Sequence, residues 1–156
     1  METGNVAADI INRYLEMELL MASLYDRYAK FYTSHKEFWS SLISEEHEHA
    51  AWVKHFQEGI SLDKIHFSEG KVRIAALESS IAYVKNIIGE FDRHHCDQTK
   101  AVGICLDLEK SLIERNVFRR FDSDSPEIRK MLDILNESQE LHVRKIEHFL
   151  GEMHKK

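Results

Sequence analysis

The chain has 156 residues and sets 21 Lys and Arg against 27 Asp and Glu, a formal net charge of −6, which gives no reason to expect a nucleic-acid or acidic-membrane partner. Its length suits one domain over residues 1–156 and is short for two. Six glycines and one proline are few, which argues against a turn-rich β fold and for long helices, hence an all-α class. No apolar run approaches transmembrane length, and the start, METGNVAADI, lacks the basic and apolar parts of a secretory signal. Cys96 and Cys105 form neither a CxxC pair nor a disulfide framework, so a reducing cytoplasm is the expected compartment.

The first predicted helix runs from about Val6 to Tyr32. Ile10, Tyr14, Met17, Met21, Leu24, Tyr28 and Phe31 recur there at alternating four- and three-residue steps, the seam of a bundle helix. Ser34 to Lys36 interrupt the pattern, and a second helix follows from about Glu37 to Glu58. Its seam is Trp39, Leu42, Glu46, His49, Val53 and Phe56. The charged run Glu45 to His49 is therefore mostly a solvated face: Glu45, His47 and Glu48 fall outward, while Glu46 and His49 take core positions.

Gly59 to Gly70 read as a loop with a short extended piece, and Val72 to about His94 as a crossover helix. Asp97 is placed to cap a third bundle helix reaching Phe121. Ser125 before Pro126 starts the last one. About forty residues separate the second and third bundle helices, far beyond an ordinary helix–helix link. A single long crossover in a four-helix bundle makes the two middle helices parallel.

An internal repeat points at the same seam positions. LDLEKSLIE (Leu106 to Glu114) laid on LEMELLMAS (Leu15 to Ser23) sets Glu109 beneath Glu18. LNESQELHVRKIEHF (Leu135 to Phe149) laid on LISEEHEHAAWVKHF (Leu42 to Phe56) sets His142 beneath His49, and Gln139 beneath Glu46. Two helices thus carry a polar residue and a histidine, three apart, in apolar seams, and the other two carry one glutamate each. Buried polar groups cost a few kcal/mol each unless paired. Hydrogen bonds among the carboxylates and imidazoles would satisfy them; so would a cation. Residues at i and i+3 lie about 60° apart around a helix and about 4.5 Å along it, so both reach one ion. A glutamate from each of two helices with Glu-x-x-His from each of the others is the di-iron or di-manganese carboxylate pattern.

These residues resemble the ferritin-like superfamily, and within it the rubrerythrin branch. There the first-helix glutamate is followed by tyrosines seven and ten residues later, as Glu18 is by Tyr25 and Tyr28. Glu46 to His49, followed by Ala50, resembles the second-helix motif. The resemblance covers nearly the whole chain through its helix pattern. It implies a ferritin-like four-helix bundle with the extra helix in the crossover, iron as cofactor (manganese or zinc as substitutes), and Glu18, Glu46, His49, Glu109 and His142 as metal ligands. Tyr25 would be a hydrogen-bond donor beside them and the catalytic candidate; a core aromatic is the other reading of that residue.

Gln139 departs from the pattern, standing where the last helix should bring a glutamate; its carbonyl is a neutral, weaker donor. Two divalent ions are balanced by four carboxylates and not by three, so one tight and one weak site are expected. Glu137 and Glu140 lie about 200° and 100° away around that helix. Asn116 and Arg119 replace the paired tyrosines on the third helix. Rubrerythrins usually carry a small iron–sulfur domain as electron donor; here there is no CxxC pair, so a reductant would be a separate protein. Apolar residues left on the crossover helix suggest a homodimer. Cys105, one turn before Glu109, reads as a buried thiol near the cluster. His94, His95 and Cys96 make a poor surface metal site, and His35, His47, His55, His66, His148 and His154 read as surface or rim residues. Three functions remain open: a redox enzyme acting on peroxide, dioxygen or ferrous iron; a non-catalytic metal protein for storage, delivery or sensing; and a bundle using polar residues for helix register.

Overall fold

The computed structural model describes residues 2–61, 66–67, 74–114 and 121–155. The elements are α1 (Glu2–Phe31), a 3₁₀ turn (Thr33–His35), α2 (Lys36–Ser61), β1 (His66–Phe67), α3 (Ile74–Arg93), α4 (Gln98–Glu114), β2 (Phe121–Asp122) and α5 (Pro126–His154). The described residues are thus all-helical but for a two-residue antiparallel pairing, Phe67 opposite Phe121 and His66 opposite Asp122.

The seam of α1 is buried from Ile10 through Tyr28, as its spacing predicts, but Phe31 is 46% exposed. Tyr32 takes its place. It leaves helical geometry at φ −93° and ψ 69°, which turns its ring inward beside Trp39 and Tyr28. Its hydroxyl donates to the Cys96 carbonyl at 2.5 Å. Phe31 instead packs at the rim against Phe91 and His95.

Trp39 of α2 is fully buried and joins three helices. Its ring centroid lies 4.9 Å from that of Tyr28 and 6.1 Å from that of Tyr25, and its indole Nε1 donates to Gln98 Oε1 of α4 at 3.0 Å. The inward residues of α3, Leu77, Ile81, Val84, Ile87, Ile88 and Phe91, are buried, and Phe91 meets Tyr28 of α1 edge to face at 4.9 Å. Arg27 and Asp92 pair at 2.9 Å along the same contact. Phe149 of α5 stacks on Phe38 of α2 at 3.7 Å. Toward the other end of α2, Phe56 meets Phe121 edge to face at 5.1 Å.

Both predicted helix starts after the crossover are present. Asp97 Oδ1 accepts from the Lys100 amide at 2.9 Å, and Ser125 Oγ accepts from the Ile128 amide at 3.5 Å, with Pro126 opening α5. The predicted third bundle helix does not reach Phe121. Its last described helical residue is Glu114, residues 115–120 lie outside the described set, and Phe121 is extended because it pairs with Phe67 and buries against Phe56. Among the described residues no helix is long and apolar enough to cross a membrane.

Candidate metal centre

The apolar seams of four helices carry five ionisable residues inward with them. Glu18 comes from α1, Glu46 and His49 from α2, Glu109 from α4 and His142 from α5, each between 1% and 6% exposed. They form two groups that share one member. In Glu18, Glu46 and His49, one candidate ligand atom per residue lies within 4.8 Å of the others, and the same holds for Glu46, Glu109 and His142.

The two groups are unequally drawn together. His142 Nε2 lies 3.0 Å from Glu46 Oε1 and 3.1 Å from Glu109 Oε1. His49 turns its Nδ1 to the carboxylates instead, 3.6 Å from Glu18 Oε2 and 4.0 Å from Glu46 Oε2. The Tyr25 hydroxyl donates to Glu109 Oε1 at 2.6 Å and lies 3.5 Å from His142 Nε2. Neither carboxylate oxygen of Glu46 has a hydrogen-bond partner. His142 Nε2 approaches Oε1 at 3.0 Å as an ion-pair contact without hydrogen-bond alignment. A buried acceptor without a donor costs about 1–3 kcal/mol. Glu46, at the overlap of both groups, is thus the one acid among the five whose surroundings call for a cation or a proton.

The electrostatics follow from this packing. Burial pushes the Glu46 carboxyl well up, and the charges of Glu18 and Glu109 push it further, with His142 opposing. Burial alone would also raise Glu109, but the charge of His142 and the hydrogen bonds of His142 and Tyr25 outweigh it and hold Glu109 below its usual value. Burial would lower His142; the charge and close approach of Glu109, then the hydrogen bond to Glu45 and the nearby Glu46 carboxylate, raise it far above the usual imidazole range instead. Burial, followed by the Glu109 charge, raises the Tyr25 phenol, which stays protonated as a donor. Tyr14, one turn before Glu18, is raised in the same way by burial and by Glu18, Glu109 and Glu46. Its seam position was legible in the sequence; its place beside the acids was not.

One expectation is corrected. Glu45 is not part of the solvated face. It is half-buried, its Oε2 lies 2.7 Å from His142 Nδ1, and its Oε1 accepts from Lys145 Nζ at 2.8 Å. A helix seam sorts residues only into inner and outer, whereas Glu45 sits on the boundary where α5 comes alongside α2. The available signal was its neighbour across that boundary, Lys145, three residues after His142. His47 and Glu48 are exposed as predicted.

Gln139 is half-buried on the turn before His142, and no hydrogen bond joins it to the cluster among the described residues. Neither Glu137 nor Glu140 enters the two groups. Cys105 is a fully buried free thiol, raised by burial and then by the charges of Glu109 and Glu46. Asn116 and Arg119 lie outside the described residues, as does the side chain of His66. His47, His55, His148 and His154 are exposed, and His35 is half-buried beside Gln98 Nε2 at 2.8 Å. His95 rests on Phe31 with ring centroids 4.0 Å apart, and His94, His95 and Cys96 form no ligand group among the described residues. Compared with models of protein families, with curated proteins and with solved structures, the chain matches none.

Proposed function

We propose that this chain is a ferritin-like, rubrerythrin-like metal protein: a four-helix bundle of α1, α2, α4 and α5 with α3 in the crossover, holding a dinuclear iron centre between the four. The observation that carries the reading is Glu46, a buried carboxylate with both oxygens lacking donors where two three-residue ligand groups overlap. Supporting the bundle, Trp39 meets Gln98 at one level and Glu46 meets Glu109 further along. That is the order expected of α2 and α4 running in the same direction. Three carboxylates and two imidazoles are a hard-to-borderline donor set suited to iron, manganese or zinc.

In this reading Glu18, Glu46 and His49 would hold one ion and Glu46, Glu109 and His142 the other, with Glu46 common to both groups. Bound iron would supply one-electron steps between its ferrous and ferric states. Tyr25 keeps its proton and holds Glu109 Oε1 at 2.6 Å, so that acid is oriented before any ion arrives. Burial excludes bulk water from Glu46 and thereby strengthens its attraction for cations. Reducing peroxide to two waters takes two electrons and two protons, and the chemistry open to the site is this, reduction of dioxygen, or oxidation of ferrous iron. A separate electron-donor protein, a homodimer and a cytoplasmic location belong to the same proposal.

A second reading has its own observation: the two ligand groups contain three carboxylates, and the repeat sets the neutral Gln139 where a fourth would stand. That favours a non-catalytic protein for metal storage, delivery or sensing. Anaerobic loading with ferrous iron, metal analysis and absorption spectroscopy separate the readings. The redox proposal expects a near-ultraviolet band that bleaches on reduction and returns with peroxide. Metal bound without that cycle supports the second reading, and failure to bind iron, manganese or zinc ends both.

A further inference from the structure

The two imidazoles are held in different ways. His142 offers Nε2 to Glu46 and Glu109 while its Nδ1 lies 2.7 Å from Glu45 Oε2. The other oxygen of Glu45 is fixed by Lys145 Nζ at 2.8 Å. His49 offers Nδ1 to its acids, at the longer distances of 3.6 and 4.0 Å, and no hydrogen bond to its ring is present among the described residues. The internal repeat places Ser138 where Glu45 stands. The carboxylate partner is therefore on one side of the pseudo-symmetric centre and absent from the other.

A neutral imidazole has one N–H and one lone pair. When an entering cation displaces one proton from the ring, an acid accepting at Nδ1 keeps the other proton there, so that the lone pair is freed on Nε2, at the point where Glu46 and Glu109 converge. It also fixes the ring plane and increases the basicity of the ligating nitrogen. Lys145 keeps Glu45 from swinging out to water, so the partner is in place before an ion enters. We propose that Glu45, clamped by Lys145, is a positioning residue that holds His142 in its Nδ1–H form and makes Glu46, Glu109 and His142 the tighter of two cation sites. The proposal rests on the metal-binding reading and adds which site fills first and what sets the order.

The test uses the metal-stripped full chain titrated with zinc by calorimetry in competition with a chelator. The wild type should give two dissociation constants, and His142→Gln should remove the tighter one. In Glu45→Ala the tighter constant should weaken by about 10–100-fold with the weaker one unchanged. Glu45→Gln, which keeps an acceptor oxygen in place, should recover part of the loss, and Lys145→Met should lose less than Glu45→Ala. In zinc-loaded protein the proton on His142 Nδ1 should give an exchange-protected resonance that vanishes in Glu45→Ala and returns in Glu45→Gln. A purely structural role for Glu45 would not move that signal selectively. Equal weakening of both constants, no weakening, or zinc on Nδ1 of His142 overturns the proposal while leaving the metal reading intact. A wild type that binds no zinc overturns both.

Discussion

Replacing Glu46 by methionine should stabilise the metal-free protein and abolish its response to metal. The carboxylate is 1% exposed, and neither oxygen has a donor. Leaving such a group unsatisfied costs about 1–3 kcal/mol, a cost that methionine of similar length does not carry. For a chain of this size each kcal/mol moves the thermal midpoint by about 2–4 °C. Glu46→Met should therefore melt about 2–12 °C above wild type in a chelator. With zinc at about 100 times the dissociation constant, each filled site stabilises the native state by about 2.7 kcal/mol. Two sites would raise the wild type by about 10–20 °C and the variant not at all, so the order of the two proteins reverses.

Calorimetry at several pH values adds a sign. The native Glu46 carboxyl titrates above its unfolded value. Between those two values the folded chain holds a proton that the unfolded chain has lost, so this residue makes stability fall as pH rises. The advantage of Glu46→Met in chelator should then be smallest near pH 4 and grow above it. A variant less stable than wild type in chelator would mean that Glu46 works as a structural partner of His142. A zinc shift surviving in Glu46→Met would remove the acid shared by both groups from the proposal.

Three more outcomes follow from the same geometry. Metal-free stability should peak between about pH 4.5 and 6.5. Glu45, held down to about 2 by His142 and Lys145 against the effect of its burial, contributes above its unfolded value and loses that contribution as pH falls. His142, raised in the fold, contributes below the ordinary imidazole value and progressively less above it; zinc affinity should instead rise with pH, because the ligand proton must leave. Thermal midpoints and zinc titrations from pH 4 to 8 check both slopes, and His142→Gln should flatten the alkaline fall. Gln139→Glu, which puts a fourth carboxylate on the turn before His142, should tighten zinc binding roughly tenfold, about 1.4 kcal/mol, and lower the midpoint in chelator by adding a like charge to the acids; unchanged affinity would show that position 139 does not face the ions. Tyr25→Phe removes the 2.6 Å donor to Glu109, a charge-assisted bond of about 1.5–3 kcal/mol, and should lower the metal-free midpoint by about 3–12 °C, opposite in sign to Glu46→Met.

Glu46 and His49 were legible because helix periodicity is a strong signal: they keep the step of Trp39, Leu42, Val53 and Phe56, and the fold buries all of them; Glu18 lies one residue past Met17, outside the α1 seam, and stood out only through the repeat. The repeat then located Glu109 and His142 by register. Glu45 was not legible, since its role depends on which helix lies beside α2 and at what height, and periodicity within α2 carries neither. The exchange of Phe31 for Tyr32 has a similar origin. One residue leaving helical dihedrals rotates its side chain away from where extrapolated periodicity would put it. Phe121 was misread because a short extended pairing with Phe67 outweighs local helix preference once Phe56 covers it.

Such an arrangement needs support from outside the cluster, since three buried carboxylates repel one another. The aromatic layer of Tyr25, Tyr28, Trp39 and Phe91 locks α1, α2 and α3 in register on one side, and Phe56 against Phe121 closes the core further along α2. Between them, Glu109 is tied by Tyr25 and His142 by Glu45. Each of these ties stabilises its own acid or imidazole, and none satisfies Glu46. The groups that orient the cluster therefore stabilise the metal-free chain, while the acid shared by both groups destabilises it. That division is what a preorganised cation site requires, because an ion gains most from a carboxylate that has no hydrogen bond to give up.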